Sequence, residues 1–174
     1  MPKQEKSLEM TVLMTPDMAN FSGNVHGGAI LKLLDQVAYA CAARYCKTYV
    51  VTISLDQVTF REPIKVGELV SFRANVNYVG KTSMEVGVKV FAENIHKKTV
   101  RHTNSCYFTM VAVDENKKPV PVPELHIETE FEQKLFEAGK MRKELREQVV
   151  NRNKQITAGI PDYNADLMQR QQED

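Results

Sequence analysis

Asn24-Val25-His26-Gly27-Gly28, running on through Ala29-Ile30-Leu31-Lys32-Leu33-Leu34-Asp35, is the stretch on which the fold turns. A polar, glycine-bearing loop leads directly into an apolar helical pattern. Ile30, Leu33, Leu34, Val37, Ala38, Cys41, Ala42 and Tyr45 recur at helical spacing. That predicts about four turns of helix with one buried stripe. The first turn presents free backbone N–H groups beside small residues, and such a helix start suits a polarised carbonyl or an anion. Asp35 falls at the edge of the stripe. A border position allows half-burial, the condition in which a carboxylate is suited to acid–base chemistry, although an Asp on a helix is usually solvated.

The chain has 174 residues, enough for one domain with a real core. Its formal net charge of +1 provides no global field for nucleic acid or membrane. The cysteines, Cys41, Cys46 and Cys106, are odd in number and lack C-x-x-C spacing. This argues against a disulfide framework and against a metal site. The first seven residues, MPKQEKS, are polar and have no apolar signal-like run. No apolar run approaches the roughly 18 residues of a membrane span. A soluble cytoplasmic protein is expected, with residues 1–7 disordered.

Strand patterns surround the helix. Leu8, Met10, Val12 and Met14 alternate before it, and Val51, Ile53 and Leu55 after it. Val58 and Phe60 resume in shifted phase, which predicts a bulge or bend at Asp56-Gln57. Residues 69–92 alternate on both sides of Val79-Gly80-Lys81-Thr82-Ser83 and read as a hairpin. Residues 101–113 form a further strand with bulk on both faces, which calls for a partner surface. A proline-rich segment, 114–123, ends it.

Residues 124–150 carry Phe131, Leu135, Ala138, Leu145 and Val149 among charges and read as an amphipathic helix that covers a sheet edge or a neighbouring subunit. Residues 151–174 are polar and Gln-rich, and a poorly ordered tail is expected. The economical packing is α+β: an antiparallel sheet of about five strands wrapped around one long helix, with a C-terminal helix. It leaves the outer sheet face partly apolar, which predicts self-association.

Several separate segments then match one family in the right order. They are Asn24 to Gly28, Leu33-Leu34-Asp35, Asp56-Gln57-Val58-Thr59-Phe60, Val79 to Val86, and the strand from His102 to Phe108. Over residues 8–123 the chain resembles the hotdog-fold acyl-CoA thioesterases, in particular the cytoplasmic acyl-CoA hydrolases that include the brain-type enzymes and bacterial relatives. The resemblance implies an acyl-CoA substrate, no separate cofactor, and a catalytic pair, Asn24 and Asp35, acting across a dimer interface. It also implies that the helix start, through Gly27, Gly28 and their neighbour His26, receives the thioester carbonyl. The assembly it implies is a homodimer at least, and a trimer of dimers beyond that. Asp35 acting as general base and Asp35 attacking to form an anhydride both fit.

Coenzyme A carries phosphates, so cations belong near the mouth of the site. Arg61, Lys81, Thr82 and Ser83 are the candidates, the last three on a tight turn. No G-x-S-x-G elbow offers a rival nucleophile. Two other readings stay open: a hotdog dehydratase or hydratase using His26 with Asp35, and a non-catalytic acyl-CoA sensor. The residues before 8 and after 124 lack the basic helix-turn-helix pattern a DNA-linked sensor needs.

Overall fold

The computed structural model describes residues 4–160. Strand β1 spans Ser7–Leu13 and a single 3-10 turn covers Pro16–Met18. Helix α1 spans Gly27–Cys46, followed by β2 (Tyr49–Leu55), β3 (Leu69–Val79), β4 (Ser83–Asn94), β5 (Thr99–Val113) and helix α2 (Glu130–Thr157). The five strands form one antiparallel sheet in the order β1-β3-β4-β5-β2. Helix α1 touches all five strands, which is the wrapped arrangement of the hotdog fold.

The period of each element decides what it buries. On α1, Ile30, Leu34, Val37, Ala38, Cys41, Ala42 and Tyr45 are buried. They meet alternate residues of the strands, among them Phe72, Val86, Phe108 and Met110, each no more than 1% exposed. Leu33, assigned to the same stripe, is only partly buried. The helix stops at Lys47, whose left-handed φ of 56° lets its N–H reach Ala43 O at 2.8 Å.

Part of the outer face of the sheet is covered by α2 of the same chain. Glu85 on β4 is 1% exposed and points away from α1 toward α2. Arg142 Nη2 donates to Glu85 Oε1 at 2.6 Å, and Arg146 Nη1 donates to Glu85 Oε2 at 3.0 Å and to Asp56 Oδ2 at 2.8 Å. The Arg142 guanidinium also stacks 3.7 Å above the Tyr107 ring. Gly139 is needed here, because a Cβ on it would lie 2.6 Å from that of Tyr78. Of the outward-facing bulk on β5, Tyr107 is thereby covered by α2 of the same chain.

Several boundaries differ from expectation. Residues 4–7 are part of the fold: Lys6 is 9% exposed and its ammonium reaches Glu132 at 2.7 Å. Helix α2 begins at Glu130 because Thr129 caps it, its Oγ1 accepting from the Glu132 N–H, while Glu132 reaches back to the Glu128 N–H. It runs on to Thr157, past the expected end at residue 150. Residues 161–174, most of the expected tail, lie outside the described residues. The ladder irregularity sits between Thr52 and Ser54, ahead of Asp56-Gln57.

Removing both arginines would strand Glu85 as a buried, unpaired carboxylate. Arg142→Met with Arg146→Met should cost on the order of 3–5 kcal/mol. Adding Glu85→Gln should recover part of the loss. Thermal unfolding at fixed protein concentration checks this, and a change under about 0.5 kcal/mol, the scale of an ordinary surface substitution, would contradict it.

Candidate active site

The loop before α1 is organised by Asn20. Its Oδ1 accepts from the Ser22 N–H at 2.9 Å, the Ser22 hydroxyl at 2.7 Å and the Asn24 N–H at 3.1 Å. Its own N–H donates to Asn24 O at 2.6 Å. Gly23 turns the chain with φ 79°. Val25 N–H then donates to Ile64 O at 2.8 Å, so the loop is tied to residues 61–65. With its oxygen held by three donors, the Asn20 amide nitrogen stays free of partners among the described residues. Asn24 differs: its amide nitrogen donates to Ser22 Oγ at 3.2 Å.

The helix start is more particular than its sequence suggested. His26 is the N-cap, and its Nδ1 accepts from the Gly28 N–H at 2.8 Å. The N–H groups of Ala29 and Ile30 both go to His26 O, at 2.9 and 3.3 Å. Gly28 is therefore not an available carbonyl donor, and His26 faces the helix as an acceptor. Among the described residues, the first-turn N–H left without a partner is that of Gly27. A Cβ on Gly28 would sit 3.1 Å from His26 Nδ1, so glycine there is what lets the imidazole cap the helix.

A cleft of about 330 Å³ opens beside this start, lined by Asn20, Asn24, Gly27, Phe60, Arg61 and Ile64. It brings Arg61 beside the loop. Its wall is held from behind by Arg101, which pairs with Glu62 at 2.9 Å and Glu68 at 2.6 Å and donates to Pro63 O at 2.8 Å. The Arg101 hydrogen bonds hold the Glu68 carboxyl below its ordinary value.

Lys81, Thr82 and Ser83 are elsewhere. Their turn joins β3 to β4, and the carbonyls of Lys81 and Thr82 accept from Val122 and Ala112, each at 3.0 Å. Ser83 lines a separate cleft of about 430 Å³ with Lys143 and Arg146 of α2. Within one chain this turn does not join Arg61.

Asp35 is exposed in the single chain, not half-buried. It lies about two turns beyond Gly27, roughly 12 Å along the helix axis. Thr52 of β2 donates its hydroxyl to Asp35 Oδ1 at 2.8 Å. The carboxylate thus sits at the sheet edge formed by β2, outside the cleft that holds Asn20 and Gly27. Cys41 and Cys106 are no alternative nucleophiles, because burial pushes both thiols up to about 12.

Residues 22–99 match the thioesterase superfamily. The chain is 53% identical over 139 residues to the protein VdlD of Helicobacter pylori, covering 80% of this chain and 79% of that one. Among solved structures it superposes on an apo-hexameric acyl-CoA thioesterase with a TM-score of 0.79 and 36% identity, over 83% of this chain and 92% of that one. It superposes on an acyl-CoA hydrolase from Staphylococcus aureus, in complex with butyryl coenzyme A and coenzyme A, with a TM-score of 0.81 and 28% identity, over 91% and 96%. That enzyme has also been solved with alanine replacing an asparagine, an aspartate 15 residues further on, and a threonine 17 residues beyond that. In this chain Asn20, Asp35 and Thr52 stand at the same intervals. Asn24 does not fit that spacing. Asn20 and Thr52 had no motif to mark them: Asn20 lies outside the glycine-bearing stretch, and Thr52 reaches Asp35 only through the fold.

Arg101 supports the cleft wall, so its removal should loosen residues 61–65 and destabilise the protein by on the order of 3 kcal/mol. The Glu68 carboxyl is lowered in the fold, so its pairing contributes in full above the ordinary value of 4.5. The contribution is lost as pH falls through the lowered value. Melting temperatures of wild type and Arg101→Ala should therefore differ most at neutral pH and converge in acid. A difference that is constant with pH would contradict the pairing.

Proposed function

The chain belongs to the thioesterase superfamily, and from that premise we propose that it hydrolyses acyl-CoA to a fatty acid and coenzyme A. The observation that carries this reading is the free Gly27 N–H, facing a cleft beside the unpartnered Asn20 amide. A thioester carbonyl placed there accepts from Gly27 N–H at the positive end of α1. A water attacks the carbonyl carbon, and Asp35 of a second copy takes its proton. The C–S bond then breaks, and the thiolate of coenzyme A leaves and is protonated. Asn20, in place of Asn24, holds the water or the developing oxyanion. Thr52 keeps the Asp35 carboxylate aimed. Arg61, at the cleft mouth, meets the phosphates of coenzyme A.

The second copy is part of the proposal because one chain separates the two halves of the site. The β2 edge offers the joint. It is an unpaired sheet edge that exposes Tyr49, Ile53 and Leu55. Pairing β2 with its symmetry mate buries this edge and brings the Asp35 of each chain toward the other. A trimer of such dimers follows the hexameric neighbour. No helix among the described residues is long and apolar enough to cross a membrane, and a cytoplasmic location belongs to the same proposal. The hydratase reading is disfavoured, because His26 Nδ1 accepts from the Gly28 N–H, and the neutral imidazole then carries its proton on Nε2, leaving no free basic nitrogen.

A thiol-release assay over acyl-CoA chain lengths should show turnover, with no loss of enoyl absorbance from enoyl-CoA. Asp35→Ala should lower kcat by roughly 10²–10⁴ with the fold intact. Asn20→Ala should lower kcat with little change in KM, and Asn24→Ala should do much less. If Asn24→Ala were the more damaging of the two, the amide role would return to Asn24. Hydration of enoyl-CoA without thiol release would overturn the reading.

A further inference from the structure

Helix α2 does not end where its support ends. It crosses the outer sheet face in strand order: Phe136 packs on Tyr78 of β3, Arg142 on Glu85 of β4 and Tyr107 of β5, and Arg146 reaches Asp56 just past β2. Val150 and Asn151 then face Ser54 of β2 across an open cleft. From Glu147 to Ile160 every residue is exposed, yet the helix continues to Thr157. This arm therefore overhangs the β2 edge with no packing of its own. An unpacked helical arm of this length is marginal in water, and Val149, Val150 and Ile156 are weak helix formers.

The arm carries an apolar stripe. Met141, Leu145, Val149, Ile156 and Ile160 are 50–67% exposed. Within the helix, with Arg152 completing the series, the steps from Met141 to Ile156 are four, four, three and four residues, which at about 100° per residue keeps them on one side; Ile160 follows just past the helix end. The stripe lies about 90–100° around from the face that bears Gly139 and Arg146, by the same arithmetic. It thus looks sideways along the sheet surface, neither down onto it nor straight out.

We infer that this stripe packs against the same stripe of the α2 of a second copy, the two helices lying antiparallel over the β2–β2 seam. The inference rests on the dimer proposed above. In that dimer both α2 helices lie on one face of the joined sheet, related by the two-fold axis, and each overhangs toward the other. An axis passing between Arg152 and Asn153 sets Val149 opposite Ile156, a contact that occurs twice by symmetry. Arg152, beside the axis, turns its guanidinium along its own helix to Gln155 Oε1 at 3.1 Å. The pairing lets α2 lock the seam across which Asp35 must reach.

The test uses the full chain. The native cysteines Cys41, Cys46 and Cys106 are buried and stay silent. Arg152→Cys should form a disulfide between two copies under mild oxidation, because the two positions meet near the axis. Lys154→Cys, on the far side of the helix, should not. Amide exchange should be slow over residues 147–157 in the wild type and fast in Val149→Asp with Ile156→Asp, with α1 unchanged. A wild-type dimer, or a trimer of dimers, by sedimentation whose Arg152→Cys form gives no cross-link would overturn the inference and leave the dimer standing. Equal cross-linking of Arg152→Cys and Lys154→Cys would also overturn it. A wild-type monomer would overturn both.

Discussion

Everything in this molecule depends on α1 being buried along one side while its first turn stays open. Five strands close on Leu34, Val37, Ala38, Cys41 and Ala42, and burying that stripe fixes where the sheet must curl. The helix cannot then close its own start. Three of its first N–H groups are absorbed by His26, and one, on Gly27, is left without a partner among the described residues. The same packing that builds the core leaves a polarising group at its rim.

The same constraint underlies the proposal that one chain supplies only half of each site. The cleft lies at the start of α1, and Asp35 lies two turns further on, at the β2 edge. Both are on one rigid helix, so no local motion brings them together. The apolar β2 edge and the overhanging arm of α2 point the same way, toward a second copy. The Glu85 clamp matters here: by fixing α2 on the outer face it decides where that arm emerges.

Much of this was legible in the sequence, because the decisive features are periodic. The 3.6-residue stripe of α1 and the alternation of β3 and β4 mark elements that pack on a core, and the structure keeps them. What was not legible depends on contacts between distant residues. Lys6 is drawn into the fold by Glu132, and Thr52 finds Asp35 across 17 positions. The capping role of His26 was hidden because a loop histidine has no pattern until its helix is built. Asn24 stands out in the sequence because it adjoins the glycines, whereas the amide nitrogen without a partner among the described residues belongs to Asn20, which shapes the loop from four residues upstream.

Each proposed site is shared between two copies. Inactive Asn20→Ala and Asp35→Ala chains, unfolded together and refolded, should form mixed dimers in about half of all cases, each with one intact site of two. About a quarter of wild-type thioester hydrolysis should return. No recovery despite proven mixed assembly would mean that each site is complete within one chain, and that Asp35 does not act across the seam.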